Sequence, residues 1–330
     1  MTTGEETMSF MKSLAAGLFV LGIAATPVSA RTLKLGHVLA ADHPVHQGLE
    51  FFAKQVEEQT GGSLTFRIYP NGQLGTQQEL IERMQSGLAD AAMANVSAMQ
   101  AFSPLYGVFT LPYLFDSREA AWKALSGKVG REILDSSSAN GIKGLAWFDN
   151  GTRSFYCNRP IGKPEDLVGL KVRVQASPTT IEMVSRFGGS PTPIPWGELY
   201  SALQQGVVDC AENNVTALTL ARHGEVTKFY SRTEHSQVPD VLVMSQKVFE
   251  GLSASEQKAV LDASDATMKY FWDLWGAALD KAAADAVAMG VAINAPDKAP
   301  FMALVAPMHG EAAAKDSAIA AILDEIKAAR

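Results

Sequence analysis

From Ser253 onward the chain runs for about 35 residues without a proline and, before Gly290, with Gly276 as its one glycine. An α-helix of that length spans roughly 50 Å at 1.5 Å per residue, more than the width of a small domain. Ser253 and Glu256 stand at the spacing of a capping box, which marks its start. Such a helix is expected to lie across two lobes. Phe271, Trp272, Leu274 and Trp275 then fall near its middle, where it passes under both. Two shorter helices broken near Gly276 are the alternative.

Strand and helix signals alternate through the rest of the chain. Residues 32–38 read as a strand, 47–59 as a helix with Leu49, Phe52 and Val56 on one face, 64–68 as an alternating strand closed by Asn71-Gly72, 77–86 as a helix, and 90–94 as a short strand. After Asn140-Gly141 the rhythm resumes. Strands are expected at 142–148, 153–158, 170–174, 207–209 and 241–244, and helices at 178–187 and 196–205, the first of these opened by Ser177-Pro178. This order predicts an α/β fold of two lobes with helices on both sheet faces. No internal repeat at a fixed period is evident, and no Pro/Gly/Ser-rich linker separates the halves. The ligand site of such an architecture lies in the cleft between the lobes.

The N-terminus carries its own signal. Lys12, the apolar run 14–25 and the small residues of Val28-Ser29-Ala30 read as a cleavable secretory leader over residues 1–30, with Arg31 first in the mature chain. A buried N-terminal helix is the alternative reading, and the acidic stretch before Met8 raises the prospect of translation starting at Met8 or Met11. The apolar run is too short to span a membrane. Of the 330 residues 47% are hydrophobic, the range of a globular protein. The formal charge of −7 without basic runs argues against nucleic acid as a partner. An anionic ligand must then be attracted locally, against the global field. The two cysteines, Cys157 and Cys210, have no metal-site spacing. Export would permit a disulfide, but two unpaired buried cysteines are the simpler expectation from spacing alone.

No nucleophile elbow, zinc-protease motif, Walker loop or dinucleotide fingerprint is present. His43 and His46 lie three residues apart, but no acidic or cysteine partner completes a metal set, so neither a metal nor a cofactor is expected. Arg153 opens one expected strand, and Arg173 sits inside another, Lys171-Val172-Arg173-Val174-Gln175. Alternation sets Arg173 on the face opposite Val172 and Val174. If that face lines the cleft, its planar fork suits a carboxylate. A solvated arginine or an internal salt bridge is the competing reading.

The segments Leu170-Lys171-Val172-Arg173-Val174, Pro195-Trp196-Gly197-Glu198-Leu199-Tyr200, Ala202-Leu203-Gln204-Gln205-Gly206 and Val208-Asp209-Cys210-Ala211-Glu212-Asn213-Asn214 closely resemble the solute-binding proteins of tripartite ATP-independent periplasmic (TRAP) transporters, the DctP family. Gly36-His37-Val38, Tyr69-Pro70-Asn71-Gly72-Gln73-Leu74-Gly75 and Leu111-Pro112-Tyr113-Leu114-Phe115 extend the likeness over essentially the whole mature chain. The resemblance implies two α/β lobes joined by strands and a long helix, closing on ligand. It implies that Arg173 pairs with a ligand carboxylate, that Arg153 is a second arginine on the hinge strand, that Trp196 walls the pocket, and that Asn213 holds the ligand or Arg173. Cys210 departs from the family, which usually has glycine there, and puts the placement of Asn213 in question.

His37, Gln77, Glu79, Asn95 and His235 stand near expected strand ends or helix starts and are candidate partners for ligand hydroxyls. Caps and solvated surface groups are the alternative for each, and Glu79 in particular suits a helix N-terminus. The expectation is a monomeric, non-enzymatic periplasmic binding protein that captures a small organic acid, a uronate or related sugar acid, and hands it to the membrane subunits of a TRAP permease. C4-dicarboxylates, keto acids and sialic acid are alternative ligands. An exported enzyme acting on a sugar acid, or a ligand sensor, are alternative roles. The expected division is lobe I over residues 31–150 and 239–278, and lobe II over 151–238 and 279–330.

Overall fold

A computed structural model describes residues 30–328; the expected leader, apart from Ala30, lies outside them. Eleven strands are present among the described residues: β1 (Arg31–Gly36), β2 (Leu64–Tyr69), β3 (Ala91–Asn95), β4 (Ile142–Phe148), β5 (Arg153–Cys157), β6 (Lys171–Val174), β7 (Ser190–Pro193), β8 (Cys210–Asn213), β9 (Phe229–Ser236), β10 (Asp240–Ser245) and β11 (Ala292–Asn294). They form a five-stranded sheet in the order β2-β1-β3-β10-β4 and a six-stranded sheet in the order β11-β9-β5-β8-β6-β7. Helices cover both sheets, so the central strands are buried on both faces: every residue of β3, β5, β8 and β10 is buried.

The two sheets share a core motif. In the first, β1 runs parallel to β2 on one side and β3 on the other; in the second, β6 runs parallel to β7 and β8. The likeness extends to single bonds. Lys34 N donates to Asp90 Oδ2 at 2.7 Å, and Lys171 N donates to Asp209 Oδ2 at 2.8 Å. Asp90 N and Asp209 N return bonds to the carbonyls of Lys34 and Lys171. Met84-Gln85-Ser86-Gly87-Leu88-Ala89-Asp90 and Leu203-Gln204-Gln205-Gly206-Val207-Val208-Asp209 align without a gap, and the match continues through Asn95-Val96-Ser97 and Asn214-Val215-Thr216. These segments form an internal repeat, but one without a fixed period. Lys34 and Asp90 are 56 residues apart while Lys171 and Asp209 are 38 apart, so no single period relates the halves.

Two short segments cross between the sheets, residues 149–152 from β4 to β5 and 237–239 from β9 to β10. Gly151 adopts φ 63° in the first, where only glycine is free of backbone strain, and its N–H donates to Asp149 Oδ1. The long helix, Ala254–Ala288, is unbroken and starts with the expected Ser253–Glu256 capping box. It packs on the Pro44–Gln59 helix and β4 of the first half and reaches the Thr216–Thr219 turn of the second. Gly276 does not break it. A side chain there would meet Arg118 Nη1 at 3.3 Å, and Arg118 itself stacks 3.6 Å over Trp272 and ion-pairs with Asp149 of the crossing segment.

Several expectations need correction. The strand expected at 207–209 lies at Cys210–Asn213, because Asp209 ends the preceding turn by bonding to Lys171. The helix expected over 196–205 divides into a 3-10 turn, Trp196–Glu198, and a helix, Leu199–Gln204. Cys157 and Cys210 are not free: they face each other in register on β5 and β8 and form a disulfide. The last helix, Ser317–Ala328, packs on the preceding helix, Pro307–Lys315, and also reaches Pro104–Thr110 and Lys128–Ser136 of the first half.

Candidate ligand-binding site

The loops at the ends of β1, β3, β6 and β8 face each other across a cleft. A cavity of about 410 Å³ lies there, lined from the first half by Val38, Asn71, Gln77 and Ala98 and from the second by Arg173, Gln175 and Trp196. A smaller, polar cavity of about 50 Å³ adjoins it and shares Gln77, Gln175 and Trp196. The first crossing segment borders this smaller cavity through Asn150, and β10, directly after the second, through Asp240.

Arg173 is held in the middle of β6 between Val172 and Val174, opposite Thr192 of β7 and Ala211 of β8. Its side chain is 2% exposed. Nε donates to the Ile194 carbonyl at 2.8 Å, and the guanidinium carbon lies 6.0 Å from the Trp196 ring centre. Nη1 is buried without a hydrogen-bond partner. Burial lowers its pKa to about 10, with Arg153 adding to the effect against the opposing pull of Tyr156 and Glu212, and it stays protonated at neutral pH. A buried charge with an unpaired donor is costly, and an incoming anion relieves that cost.

Arg153 is differently placed. Nε and Nη2 donate to the two carboxylate oxygens of Glu212 at 2.6 and 2.8 Å, Nη2 also to the Glu212 carbonyl, and Nη1 to Asn213 Oδ1 at 2.6 Å. Its charge is neutralised from within. Burial pushes the Glu212 pKa upward, but the Arg153 charge and the His235 hydrogen bond outweigh it and hold the group at about 2. Glu212 is the functional residue the sequence reading missed, although it stood inside the quoted motif. Asn213 Oδ1 accepts the hydrogen bond from Arg153 Nη1, and the residue borders the smaller cavity. The Cys210 side chain is absorbed by the disulfide and leaves Asn213 in β8.

The remaining candidates divide. Gln77 borders both cavities, with Oε1 accepting from Asn95 N. Asn95 borders the smaller one; Nδ2 donates to Asp240 Oδ1 at 2.8 Å and to the carbonyls of Val238 and Pro239. Glu79 lies at the exposed rim, where it closes a capping box with Thr76. His37 and His235 border neither cavity. His37 is buried against His46, with Nε2 and Nδ1 2.8 Å apart, and His235 is buried between Thr233 and Glu212. Both hold internal partners where a ligand contact was expected. His43, outside the expected set of ligand contacts, does border the smaller cavity. No group of three or more His, Cys, Asp or Glu among the described residues could hold a metal ion.

A cleft between two α/β halves, tied by two crossing segments and walled by a buried arginine with an unpartnered donor, defines a protein built to capture an anionic solute. The chain belongs to the bacterial extracellular solute-binding protein family 7, DctP, whose model matches residues 35–316. Members of this family are the substrate-binding proteins of TRAP transporters, not enzymes, as the motif resemblance implied. The chain is 36% identical to a TRAP periplasmic solute binding protein of Anaerococcus prevotii solved with D-glucuronate (TM-score 0.88; 90% of this chain and 97% of that one covered). It is 34% identical to one of Xanthobacter autotrophicus solved with β-D-galacturonate (TM-score 0.88; 90% and 100% covered). It is also 31% identical over 264 residues to the 2,3-diketo-L-gulonate-binding periplasmic protein YiaO of Escherichia coli, covering 79% of this chain and 80% of that one.

Proposed function

We propose that this protein binds a uronate or a closely related sugar acid in the interlobe cleft, with the carboxylate on Arg173, and delivers it to the membrane subunits of a TRAP permease. The observation that carries this reading is the buried, unpartnered Nη1 of Arg173 on the cavity wall. Trp196 offers an apolar surface to a sugar ring, while Gln77, Asn95, Gln175 and Asn213 offer hydrogen bonds to hydroxyls. The uronates bound by the two solved relatives support the ligand class. In this account Arg153 acts through Asn213, as part of the pocket's frame. The protein works in the periplasm as a monomer, after removal of a leader over residues 1–30. Lobe I comprises 31–150 and 239–278, and lobe II comprises 151–238 and 279–330.

Capture proceeds by closure: Arg173 engages the carboxylate in the open form and the lobes then close over the rest. A thermal-shift panel of uronates, aldonates, C4-dicarboxylates, keto acids and sialic acid tests the ligand class. Ligand at about a thousand times its dissociation constant adds about 4 kcal/mol of stability, several degrees in melting temperature. The expected result is a shift confined to the sugar acids. A shift confined to dicarboxylates would overturn the class and leave the transport role.

A further inference from the structure

The charges bordering the cleft are unevenly shared between its two ends. The larger cavity is bordered by Arg173 and, at its exposed rim, by Glu79 and Glu198. The smaller cavity is bordered by Arg153 and Asp240. Arg153 is fully engaged by Glu212 and Asn213. Among the charged residues bordering either cavity, Arg173 is therefore the one permanent cation without a carboxylate partner. The polar end has no counterpart: once Arg153 and Glu212 cancel, Asp240 leaves that end negative.

Asp240 is fixed there by its position. It is the first residue of β10, directly after the 237–239 crossing, paired across the sheet with Asn95 of β3 and Phe148 of β4. Asn95 Nδ2 donates to its Oδ1 at 2.8 Å. The side chain is nearly buried, yet it borders the small polar cavity with Asn95, Asn150, Asn213 and Asn214. Burial raises its pKa to about 6, opposed by the Asn95 bond and the Arg153 charge, so it is chiefly ionised at neutral pH. An ionised carboxylate only accepts hydrogen bonds, so it suits a hydroxyl and repels a second carboxylate.

We infer that Asp240 is a specificity residue that admits monocarboxylic polyhydroxy acids and rejects dicarboxylic ones. The ligand carboxylate goes to Arg173, and the far end of the ligand, facing Asp240, must be neutral and able to donate. This inference rests on the Arg173 reading above and narrows it: a hexuronate fits, while the aldarate made by oxidising its other end does not. Nothing else bordering the polar end can neutralise a second negative charge, because His43 is held neutral by burial, with a pKa of about 4.

Two matched pairs test this by calorimetry at pH 7.5: D-galacturonate against galactarate, and 4-hydroxybutyrate against succinate. In each pair the second member is the first with its far end oxidised to a carboxylate. The wild-type chain is expected to prefer the monocarboxylate by at least about tenfold in whichever pair binds, and Asp240→Asn to narrow that preference by at least about tenfold. Asparagine keeps the oxygen that accepts from Asn95, so the variant is expected to fold, and its melting curve checks this. A second variant, Asp240→Ser, is the fallback. Equal binding of both members of a pair by the wild-type chain would overturn the filter. So would an unchanged preference in a folded Asp240 variant. Failure of galacturonate with discrimination kept in the hydroxybutyrate pair would instead sink the sugar-acid reading and leave the filter standing.

Discussion

Arg153 and Glu212 form a two-bond ion pair, 2.6 and 2.8 Å long, with both side chains almost wholly removed from solvent. The pair ties β5 to β8 immediately beside the ligand cleft, and Asn213 hangs from its remaining donor. It explains how the second arginine of the motif can be buried without competing for the ligand.

Removing one partner of such a pair leaves an uncompensated buried charge. Glu212→Gln is expected to lower unfolding free energy by about 3–5 kcal/mol in urea titrations. A loss under about 1 kcal/mol would mean that Arg153 finds another anion, and the ion pair would not be the frame described above.

The buried histidines set the pH dependence. Burial, with the nearby His46 and His43, lowers His37 to about 3; burial lowers His43 to about 4; burial and Arg173 lower His223 to about 3. These groups bind protons in the unfolded chain near 6.5 but not in the folded one. Their contribution is complete above that value and is lost as pH falls from about 6.5 towards 3, at about 1.4 kcal/mol per group per pH unit. Asp240 works in the opposite sense: its contribution is present below about 4 and lost as pH rises through 6. Three groups outweigh one, and Glu212 adds a further loss as pH falls from about 4.5 towards 2. The urea midpoint is therefore expected to be lower at pH 5 than at pH 7.5; an equal or higher midpoint at pH 5 would contradict this.

Asn95 and Asn214 occupy equivalent places in the repeat and grip different crossing segments. Asn95 Nδ2 bonds to the carbonyls of Val238 and Pro239, and Asn214 Nδ2 to Asn150, which itself donates to the Val238 carbonyl. Alanine at either place frees buried acceptors at a cost of about 1–3 kcal/mol. Both variants are expected to release ligand faster in stopped-flow measurements, with non-additive effects in the double variant because Asn150 and Val238 join the two grips. Unchanged release rates in both would separate these residues from the hinge.

The sequence carried the gross architecture because its strongest signals were local. A capping box and an unbroken apolar-polar run announced the long helix, and glycine pairs marked turns. What it hid depended on partners far along the chain. The strand Cys210–Asn213 contains Glu212 and Asn213, polar residues that argue against a buried strand until Arg153 is placed beside them. Ser190–Pro193 carries two prolines and still forms a strand, because it is the edge of its sheet. The disulfide needed the β5–β8 register, which spacing cannot reveal. At the site, the strand setting of Arg173 left a solvated arginine or an internal salt bridge open, and the family resemblance singled it out. The internal partners of His37 and His235 were not legible, since His46 and Glu212 reach them only through the fold.

Calorimetric titration of Arg173→Ala against the best-bound sugar acid tests the central claim most directly. The account predicts binding weakened by at least about 2 kcal/mol, roughly 30-fold, because the ligand carboxylate loses a desolvated charged partner. It also predicts an unliganded melting temperature no lower than wild type, because the lost charge was buried without a carboxylate partner. Affinity equal to wild type in a normally folded variant would show that the carboxylate sits elsewhere and would contradict the account.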